Sequence, residues 1–182
     1  MTEPAARTPA SLAERVTVRP YRPLDHGACR ELWAEFVSTR RELYPDSVRR
    51  EADPGAGFEE YLTRLDIGGI WVAEHAGEGV VGLVGLVLGS RRGGEVEPVV
   101  VAERLRGRGI GRLLLGHVAD EARRRDMTEL SVSPGARNVE AIRSLHHAGY
   151  SVLSSITLTL DLAPREHRWQ DGIDVHEVRF QY

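Results

Sequence analysis

One short segment in the middle of the chain combines glycine and arginine in a way that suits phosphate binding. Arg106 to Gly111 reads RGRGIG and lies between a valine-rich stretch and an amphipathic one. If the segment opens a helix, the first backbone amides have no partner in that helix, and the helix dipole adds positive potential there. Its glycines leave these amides open to phosphate oxygens, and its arginines, with Arg112, add charge around them. The plainer alternative is a flexible turn whose arginines provide solubility.

The common nucleotide-binding loops do not match this segment. The chain has no lysine, so all 24 of its basic residues are arginines. A Walker loop, which needs a lysine at the phosphates, is therefore excluded, as is a lysine Schiff base to pyridoxal phosphate. The dinucleotide fingerprint G-x-G-x-x-G is incomplete, because the third glycine position counted from Gly107 holds Arg112.

The elements that must position this loop follow from the spacing of apolar residues. Alternation predicts strands at Val16–Arg19, Ile70–His75, Val80–Leu88, Glu95–Val101 and Glu129–Ser133. Helical spacing predicts a helix capped by Asp25 and running to Thr39, helices at Phe58–Leu65 and Ile110–Arg125, and one from the cap Asn138 to His147. Ser151–Leu162 is predicted to form one long or two short strands, and Ile173–Phe180 one more. Arg40–Gly57 is predicted to be a surface loop with a helical turn. Short connections predict that the second, third and fourth strands form an antiparallel sheet.

Composition bounds the class of protein. A length of 182 residues suits one domain, and a net charge of −3 gives no general attraction to nucleic acid or to anionic membranes. Cys29 is the only cysteine, which excludes an internal disulfide framework and fits a reducing cytoplasm. No apolar run approaches the roughly 20 residues that span a bilayer, and the N-terminus lacks the pattern of a signal peptide. We therefore expect a cytoplasmic protein with no membrane or nucleic-acid partner.

Two blocks of the sequence together resemble the GCN5-related N-acetyltransferases (GNAT). The first, VAERLRGRGIG, carries the family's Arg or Gln, Gly, and Gly or Ala at Arg106, Gly109 and Gly111. The second has an Asn, an Ala three residues on, and a closing Gly before an aromatic residue. The chain supplies Asn138, Ala141, Gly149 and Tyr150 at these positions.

This resemblance covers about residues 16–162 and implies a fold and a cofactor. The fold is of the α+β type: a mixed, mostly antiparallel central sheet of about six to seven strands, flanked by helices on both faces. We divide the chain into a flexible tail (1–15), the acetyltransferase-like domain (16–162) and a C-terminal extension (163–182). The implied cofactor is acetyl-CoA, with its pyrophosphate on the loop and its pantetheine arm paired with the preceding strand, at a splay between that strand and the one at Leu130–Val132. The residues implied to bind it are Val99, Val100, Val101, Arg106, Gly107, Arg108, Gly109, Ile110, Gly111, Arg112 and Asn138. For Asn138, a plain helix cap is an equal alternative.

Acetyl transfer to an amine needs a proton acceptor, and two glutamates precede the loop. Glu95 and Glu97 are two residues apart, so an extended strand places them on one face, which they share with Val99 and Val101. We assign Glu97 and Glu95 as candidate catalytic residues that attract and deprotonate the amine. The alternative is an exposed strand end. The backbone N–H of Val99 or Val101 is the candidate oxyanion donor.

The candidate proton donor of the family is missing. Many relatives carry a Tyr seven residues after the Asn, and this position is Leu145, on the apolar stripe of its helix. His146 points about 100° away from that position on a helix, and Tyr150 is expected to pack in the core. We therefore assign no protein acid. The scattered histidines support no metal site.

The region from Asp25 to Leu65 is expected to choose the substrate. It carries Trp33, Phe36, Tyr44 and Tyr61 with Glu35, Glu42 and Asp46. Aromatic residues with carboxylates suit a cationic amine of a small molecule or a protein, although core packing would explain most of the aromatic residues. Two other functions stay open: a sensor or degenerate domain that binds acetyl-CoA with little turnover, and a nucleotide-binding regulatory module unrelated to CoA. An exposed C-terminal strand could support a homodimer.

Overall fold

The computed structural model describes residues 15–45, 52–89, 92–160, 162 and 172–181. Its strands and helices, in chain order, are β1 (Val16–Pro20), α1 (His26–Leu43), α2 (Gly57–Leu62), β2 (Ile67–His75), β3 (Gly79–Leu88), β4 (Gly93–Val101), α3 (Ile110–Arg124), β5 (Glu129–Ser131), α4 (Val139–His147), β6 (Ile173–Val175) and β7 (Val178–Phe180). Short 3-10 turns precede α1 and follow β4. Within the described residues, no helix is both long and apolar enough to cross a bilayer.

The central sheet has five strands in the order β1-β2-β3-β4-β5. The pairs β1–β2, β2–β3 and β3–β4 are antiparallel, and β5 runs parallel to β4. The mixed, mostly antiparallel sheet predicted from the sequence is confirmed. The strand count is lower than the predicted six to seven.

Helices cover both faces of this sheet, as predicted. On one face, Ile110, Leu114 and Val118 of α3 pack with Val84 and Leu86 of β3 and with Leu145 of α4, and we call this the α3 face. On the other, Cys29 and Leu32 of α1 pack with Phe58 and Tyr61 of α2 and with Val72, Leu83 and Val100 of the sheet, and we call this the α1 face. The two apolar cores hold the sheet between pairs of helices, so the elements around the glycine-rich loop are fixed from both sides.

The C-terminal strand predictions are wrong for the described residues. Residues 151–160 and 162 form no strand, and their apolar side chains are exposed, with Ile156 at 50% and Leu160 at 80%. Alternation gives a segment the side-chain pattern of a strand, but a strand forms only where its backbone groups find partners. The strand predicted at Ile173–Phe180 is a hairpin of β6 and β7, with positive φ at His176 and Glu177 in its turn.

Differences elsewhere are confined to the ends of elements. α1 extends to Leu43, four residues past the predicted end, because Arg40 and Arg41 stabilise its carbonyl end instead of breaking it. β2 begins three residues earlier than predicted, at Ile67, and β5 ends two residues earlier, at Ser131. The 1–15 tail lies outside the described residues except for Arg15.

Candidate active site

The loop Arg106 to Arg112 joins β4 to α3, as predicted. Gly107 and Gly109 have φ of +72° and +85°, and Gly109 is the N-cap of α3. A side chain would strain the backbone at both positions. The amides of Gly107 to Gly109 donate to no described residue, and the first amides of a helix have no partner within it. The loop therefore presents a row of open donors at a positive helix end, which fits a phosphate group.

The arginines of the loop do not act alike. Arg106 is half-buried, with its Nε 3.2 Å from the carbonyl oxygen of Val101 and a nitrogen 3.5 Å from the Thr39 hydroxyl of α1. It ties the loop to β4 and α1. Arg108 and Arg112 are exposed and make no ion pair with a described residue, so these two guanidinium groups are the charges at the rim.

A gap opens between β4 and β5 beside this loop. The two strands pair only from Gly93 to Glu95, opposite Glu129 to Ser131, and then separate. On its other edge β4 remains paired with β3 up to Val101, and the amide of Ala102 donates to the carbonyl of Val81 at 3.0 Å. The splay implied by the resemblance is thus present, bounded by β4, β5 and the loop.

The backbone of β4 faces this gap at alternate residues. Because Ala102 is hydrogen-bonded to β3 and pairing alternates in an antiparallel ladder, Val100 also points its amide to β3, whereas Val99 and Val101 point theirs to the gap. Val100, one of the predicted cofactor-binding residues, therefore contributes no backbone group to the gap. Its side chain is buried on the α1 face.

A bulge in β4 separates the glutamates from the valines. The register with β3 shifts between the pairs Leu86–Val96 and Val84–Val99. Val96 packs on the α3 face but Val100 on the α1 face, although a regular strand would place residues four apart on the same face. The prediction that Glu95 and Glu97 share a face with Val99 and Val101 is therefore wrong. The glutamates lie on the α1 side, and the two valines pack on the α3 side.

Each glutamate has a defined partner. The carboxylate of Glu97, half-exposed, accepts a hydrogen bond from Arg64 at 2.9 Å, and its backbone carbonyl accepts one from the Tyr61 hydroxyl at 2.6 Å. Glu95 lies opposite Ser131, where the strands begin to part, and its carboxylate accepts from the Ser133 hydroxyl at 2.8 Å. Tyr61 and Arg64 could not be predicted as partners of Glu97 from the sequence, because they are more than 30 residues away along the chain.

Tyr61 and Arg64 keep the protonation states that these contacts need. Burial raises the pKa of the Tyr61 hydroxyl, so at neutral pH it stays a hydrogen-bond donor. Hydrogen bonds to Asp66 and Glu97 raise the pKa of the Arg64 guanidinium. Arg64 in turn lowers the pKa of the Asp66 carboxyl.

Helix α1 packs on β3 and β4 on the α1 face of the sheet. At its C-terminal end, the Tyr44 hydroxyl accepts from the amide of Arg137 at 2.7 Å, which ties it to the loop between β5 and α4. Below it lies a cavity of about 600 Å³, lined by Glu31, Ala34, Glu35, Ser38, Thr39, Glu42, Glu103, Arg106 and Glu140. Of its five carboxylates, the sequence singled out only Glu35 and Glu42. Glu31 shares their helix face by its spacing, whereas Glu103 and Glu140 reach the cavity only through the fold.

The aromatic residues of this region mostly belong to the core. Trp33 packs against Phe36, Phe58 and Tyr61, with ring centroids 5.2 to 5.9 Å apart. The expectation that core packing explains most of them is confirmed. Asp46 lies outside the described residues.

In and beside helix α4, Asn138, Leu145 and Tyr150 have structural roles as a cap and as core residues. Asn138 caps it, accepting from the amide of Ala141 at 3.1 Å, while its side-chain nitrogen donates to no described residue. Leu145 is buried in the α3-face core, and Tyr150 packs against it with its hydroxyl buried and without a partner in the described part of the chain. Neither provides an acid exposed to the gap.

Comparisons with known proteins agree with this geometry. The model of the acetyltransferase (GNAT) family matches residues 28–150. A search of the curated proteins found no match. Similar solved structures include an IAA acetyltransferase from Bacillus cereus ATCC 14579, with 24% identity, a TM-score of 0.53 and coverage of 74% of this chain and 75% of that one.

Two further structures are similar at lower identity. A ribosomal-protein-alanine N-acetyltransferase from Brucella melitensis biovar Abortus 2308 has 18% identity and a TM-score of 0.62, with coverage of 81% of this chain and 99% of that one. AAC(6')-Iy, in complex with the bisubstrate analogue CoA-S-monomethyl-acetylneamine, has 16% identity and a TM-score of 0.58 over the same shares. At these identities the likeness establishes the fold.

Proposed function

The chain belongs to the acetyltransferase (GNAT) family, and from this membership we propose that it transfers an acetyl group directly from acetyl-CoA to a primary amine of a small molecule or a protein. The observation that carries the proposal is the gap between β4 and β5. It begins at Glu95, runs beside the outward amides of Val99 and Val101, and ends at the open amides of the loop. The gap between the strands therefore extends from the candidate bases to the candidate phosphate site.

The residues present fit acetyl-CoA. The loop amides from Gly107 to Arg112 would hold the pyrophosphate, with Arg108 and Arg112 at the rim. The amide of Arg106 donates to the carbonyl of Glu103 at 3.2 Å, so Arg106 would take part through its side chain. The outward amides of Val99 and Val101 would hydrogen-bond the pantetheine arm, and the side-chain nitrogen of Asn138, which donates to no described residue, would contact it from the start of α4. The cofactor supplies the acetyl group as an activated thioester.

Proton removal falls to the glutamates on the α1 side of the gap. Glu97 is half-exposed at the bulge, and Arg64 engages only its Oε2, so Oε1 can accept a proton from the amine. Glu95 stands where the strands part and can act with Glu97, directly or through water. The amide of Val99 or Val101 would stabilise the negative charge that develops on the acetyl oxygen. With Leu145 buried, no protein acid is assigned to the thiolate, which is a good leaving group.

The acceptor would be cationic. The cavity lined by α1 carries five carboxylates with one arginine, Arg106. Such a surface attracts an alkylammonium group and repels an anionic acceptor.

We also propose a homodimer. In the described part of the chain β5 has a neighbour on only one edge, and residues 151–160 expose an alternating apolar pattern without a partner. An open sheet edge on one copy and the apolar segment of the other can satisfy each other between two copies.

Thiol release from acetyl-CoA, measured with a panel of monoamines, polyamines and aminoglycosides, tests the enzymatic proposal. We expect one or more amines to accelerate release, and Glu97→Gln combined with Glu95→Gln to slow it about 100-fold or more. The matched control Glu78→Gln removes a carboxylate paired with Arg104, outside the gap. Tight binding of acetyl-CoA without amine-dependent release would favour the sensor instead, which the buried Leu145 keeps as the second candidate.

A further inference from the structure

Two side chains three residues apart hold both ends of Glu97. The hydroxyl of Tyr61, in the last turn of α2, donates to the backbone carbonyl of Glu97 at 2.6 Å. Nη1 of Arg64, just beyond the end of α2, donates to Oε2 of the same residue at 2.9 Å. The backbone and the carboxylate of Glu97 are thus held by α2 and the residues just after it, on the α1 face of the sheet.

The neighbouring strand is shaped to admit this contact. Gly85 lies in β3 opposite the bulge, between the pairs at Val84 and Leu86. A Cβ added to Gly85 would lie 1.9 Å from the Tyr61 hydroxyl and 2.4 Å from the carbonyl oxygen of Glu97. Any side chain here would occupy the space through which the hydroxyl reaches the bulge, so the glycine and the tyrosine serve the same contact.

Arg64 is ordered independently of Glu97. Its Nε and Nη2 donate to the two carboxylate oxygens of Asp66 at 3.0 and 2.9 Å. Its guanidinium carbon lies 5.9 Å from the centre of the Tyr61 ring. With these two contacts made, Nη1 is left pointing at Glu97, which makes Arg64 a pre-oriented donor for a flexible, half-exposed carboxylate.

We propose that Tyr61 and Arg64 are positioning residues for Glu97, a role that rests on the proposed function of Glu97 as the base. Tyr61 fixes the bulge, and with it the point from which the side chain leaves the strand. Arg64 holds Oε2, which limits the positions of the carboxylate and leaves Oε1 free to accept a proton. A misplaced base loses rate steeply because proton transfer needs hydrogen-bond distance. A mere surface ion pair, by contrast, would leave the rate unchanged.

Rates of the variants Tyr61→Phe, Arg64→Gln and Arg64→Lys test this, each made with and without Glu97→Gln. Thr63→Ala is the matched control, because its hydroxyl bonds Glu60 at the same end of α2 without touching Glu97. We expect Tyr61→Phe and Arg64→Gln each to lower kcat about 3- to 10-fold with the KM for acetyl-CoA unchanged. Arg64→Lys should restore part of the rate. In the Glu97→Gln background neither Tyr61→Phe nor Arg64→Gln should slow the reaction further, because both act only through Glu97.

The outcomes separate this proposal from the function on which it rests. If Glu97→Gln is slow but Tyr61→Phe and Arg64→Gln match the wild type, the positioning role is wrong and the proposed base stands. Additive losses in the Glu97→Gln background also overturn it, as does a Glu97→Gln variant as fast as the wild type. If no amine is acetylated, the proposed function fails. Amide hydrogen exchange then decides whether Tyr61 fixes the bulge: exchange across residues 93–101 should be faster in Tyr61→Phe than in Thr63→Ala, and equal rates overturn it.

Discussion

The packing around Gly85 gives the sharpest stability prediction. Gly85→Ala places a methyl group 1.9 Å from the Tyr61 hydroxyl and 2.4 Å from the Glu97 carbonyl oxygen. Its φ lies outside the left-handed region, so the backbone itself accepts alanine and the cost is steric. The tyrosine must withdraw and the Glu97 carbonyl must also shift, because both contacts are shorter than a Cβ tolerates.

The size of the effect follows from what is displaced. Breaking the hydrogen bond between the buried Tyr61 hydroxyl and the Glu97 carbonyl costs about 1–3 kcal/mol. Overpacking by the added methyl group costs about 1–3 kcal/mol more. Replacing glycine restricts the unfolded chain and returns about 0.4–1 kcal/mol. We therefore expect Gly85→Ala to lower the free energy of unfolding by about 2–4 kcal/mol, which lowers Tm by about 5–15 °C.

Urea unfolding followed by tryptophan fluorescence measures this. Trp33 packs 5.2 Å from the Tyr61 ring and reports on the same core. The matched control is Gly116→Ala in α3, where a Cβ meets nothing within 4 Å and should raise stability by about 0.5–1 kcal/mol. A Gly85→Ala protein whose free energy of unfolding is within about 0.5 kcal/mol of the wild type would refute the reasoning. A change that small is typical of a surface substitution that meets no steric conflict.

Three further predictions concern the glycine-rich loop, the stability of the protein at acid pH and the C-terminal segment. Gly109→Ala forces alanine to a φ of +85°, so calorimetry should show weaker acetyl-CoA binding, about 5- to 30-fold; unchanged affinity would mean that the loop does not hold the phosphates. A hydrogen bond from Arg19 lowers the pKa of the buried Asp25, so its stabilisation is complete above the unfolded value of about 3.9 and is lost as the pH falls through the lower folded value. Asp25→Asn should therefore destabilise the protein at pH 7, and its free energy of unfolding in urea should fall less steeply than that of the wild type as the pH is lowered. An equally steep fall in both proteins would contradict this. Light scattering after gel filtration should find a dimer for the wild type and a monomer for Leu158→Glu in the exposed segment. A monomeric wild type would contradict the proposed homodimer.

The regular parts of the fold could be predicted because local pattern and final packing agree. The apolar face of α3 is complete within its own sequence, and its observed start at Ile110 is the predicted one. Asn138 and Gly149 likewise mark the two ends of α4 by the local chemistry of a cap and of a positive φ. Where a helix or turn is specified by residues within one or two turns, the sequence suffices.

The bulge in β4 could not be predicted from alternation. A single extra residue reverses which side chains face which core, so Glu97 and Val99, two apart, lie on opposite sides of the sheet. Its position depends on Tyr61 and Gly85, which come from two other elements. Patterns within one strand carry no information on such contacts.

In the candidate site, too, the local features could be predicted from the sequence and the long-range contacts could not. The loop residues were found because glycine spacing and the following helix are local features. The partners of Glu97 and the carboxylates of Glu103 and Glu140 in the cavity were missed, because they approach from elements that are distant in sequence. The strand prediction for residues 151–160 is wrong for a related reason. These residues alternate like a strand, but a strand forms only beside a partner strand, whose position the sequence does not reveal.

Calorimetric titration of the wild-type protein with acetyl-CoA, beside NAD and ATP, tests the central claim most directly. The open amides of the loop and the outward edge of β4 at Val99 and Val101 should bind acetyl-CoA with micromolar affinity, and coenzyme A in competition with it. NAD and ATP, which lack the pantetheine arm, should bind much more weakly. Equal affinity for ATP, or no heat with acetyl-CoA, would contradict the account.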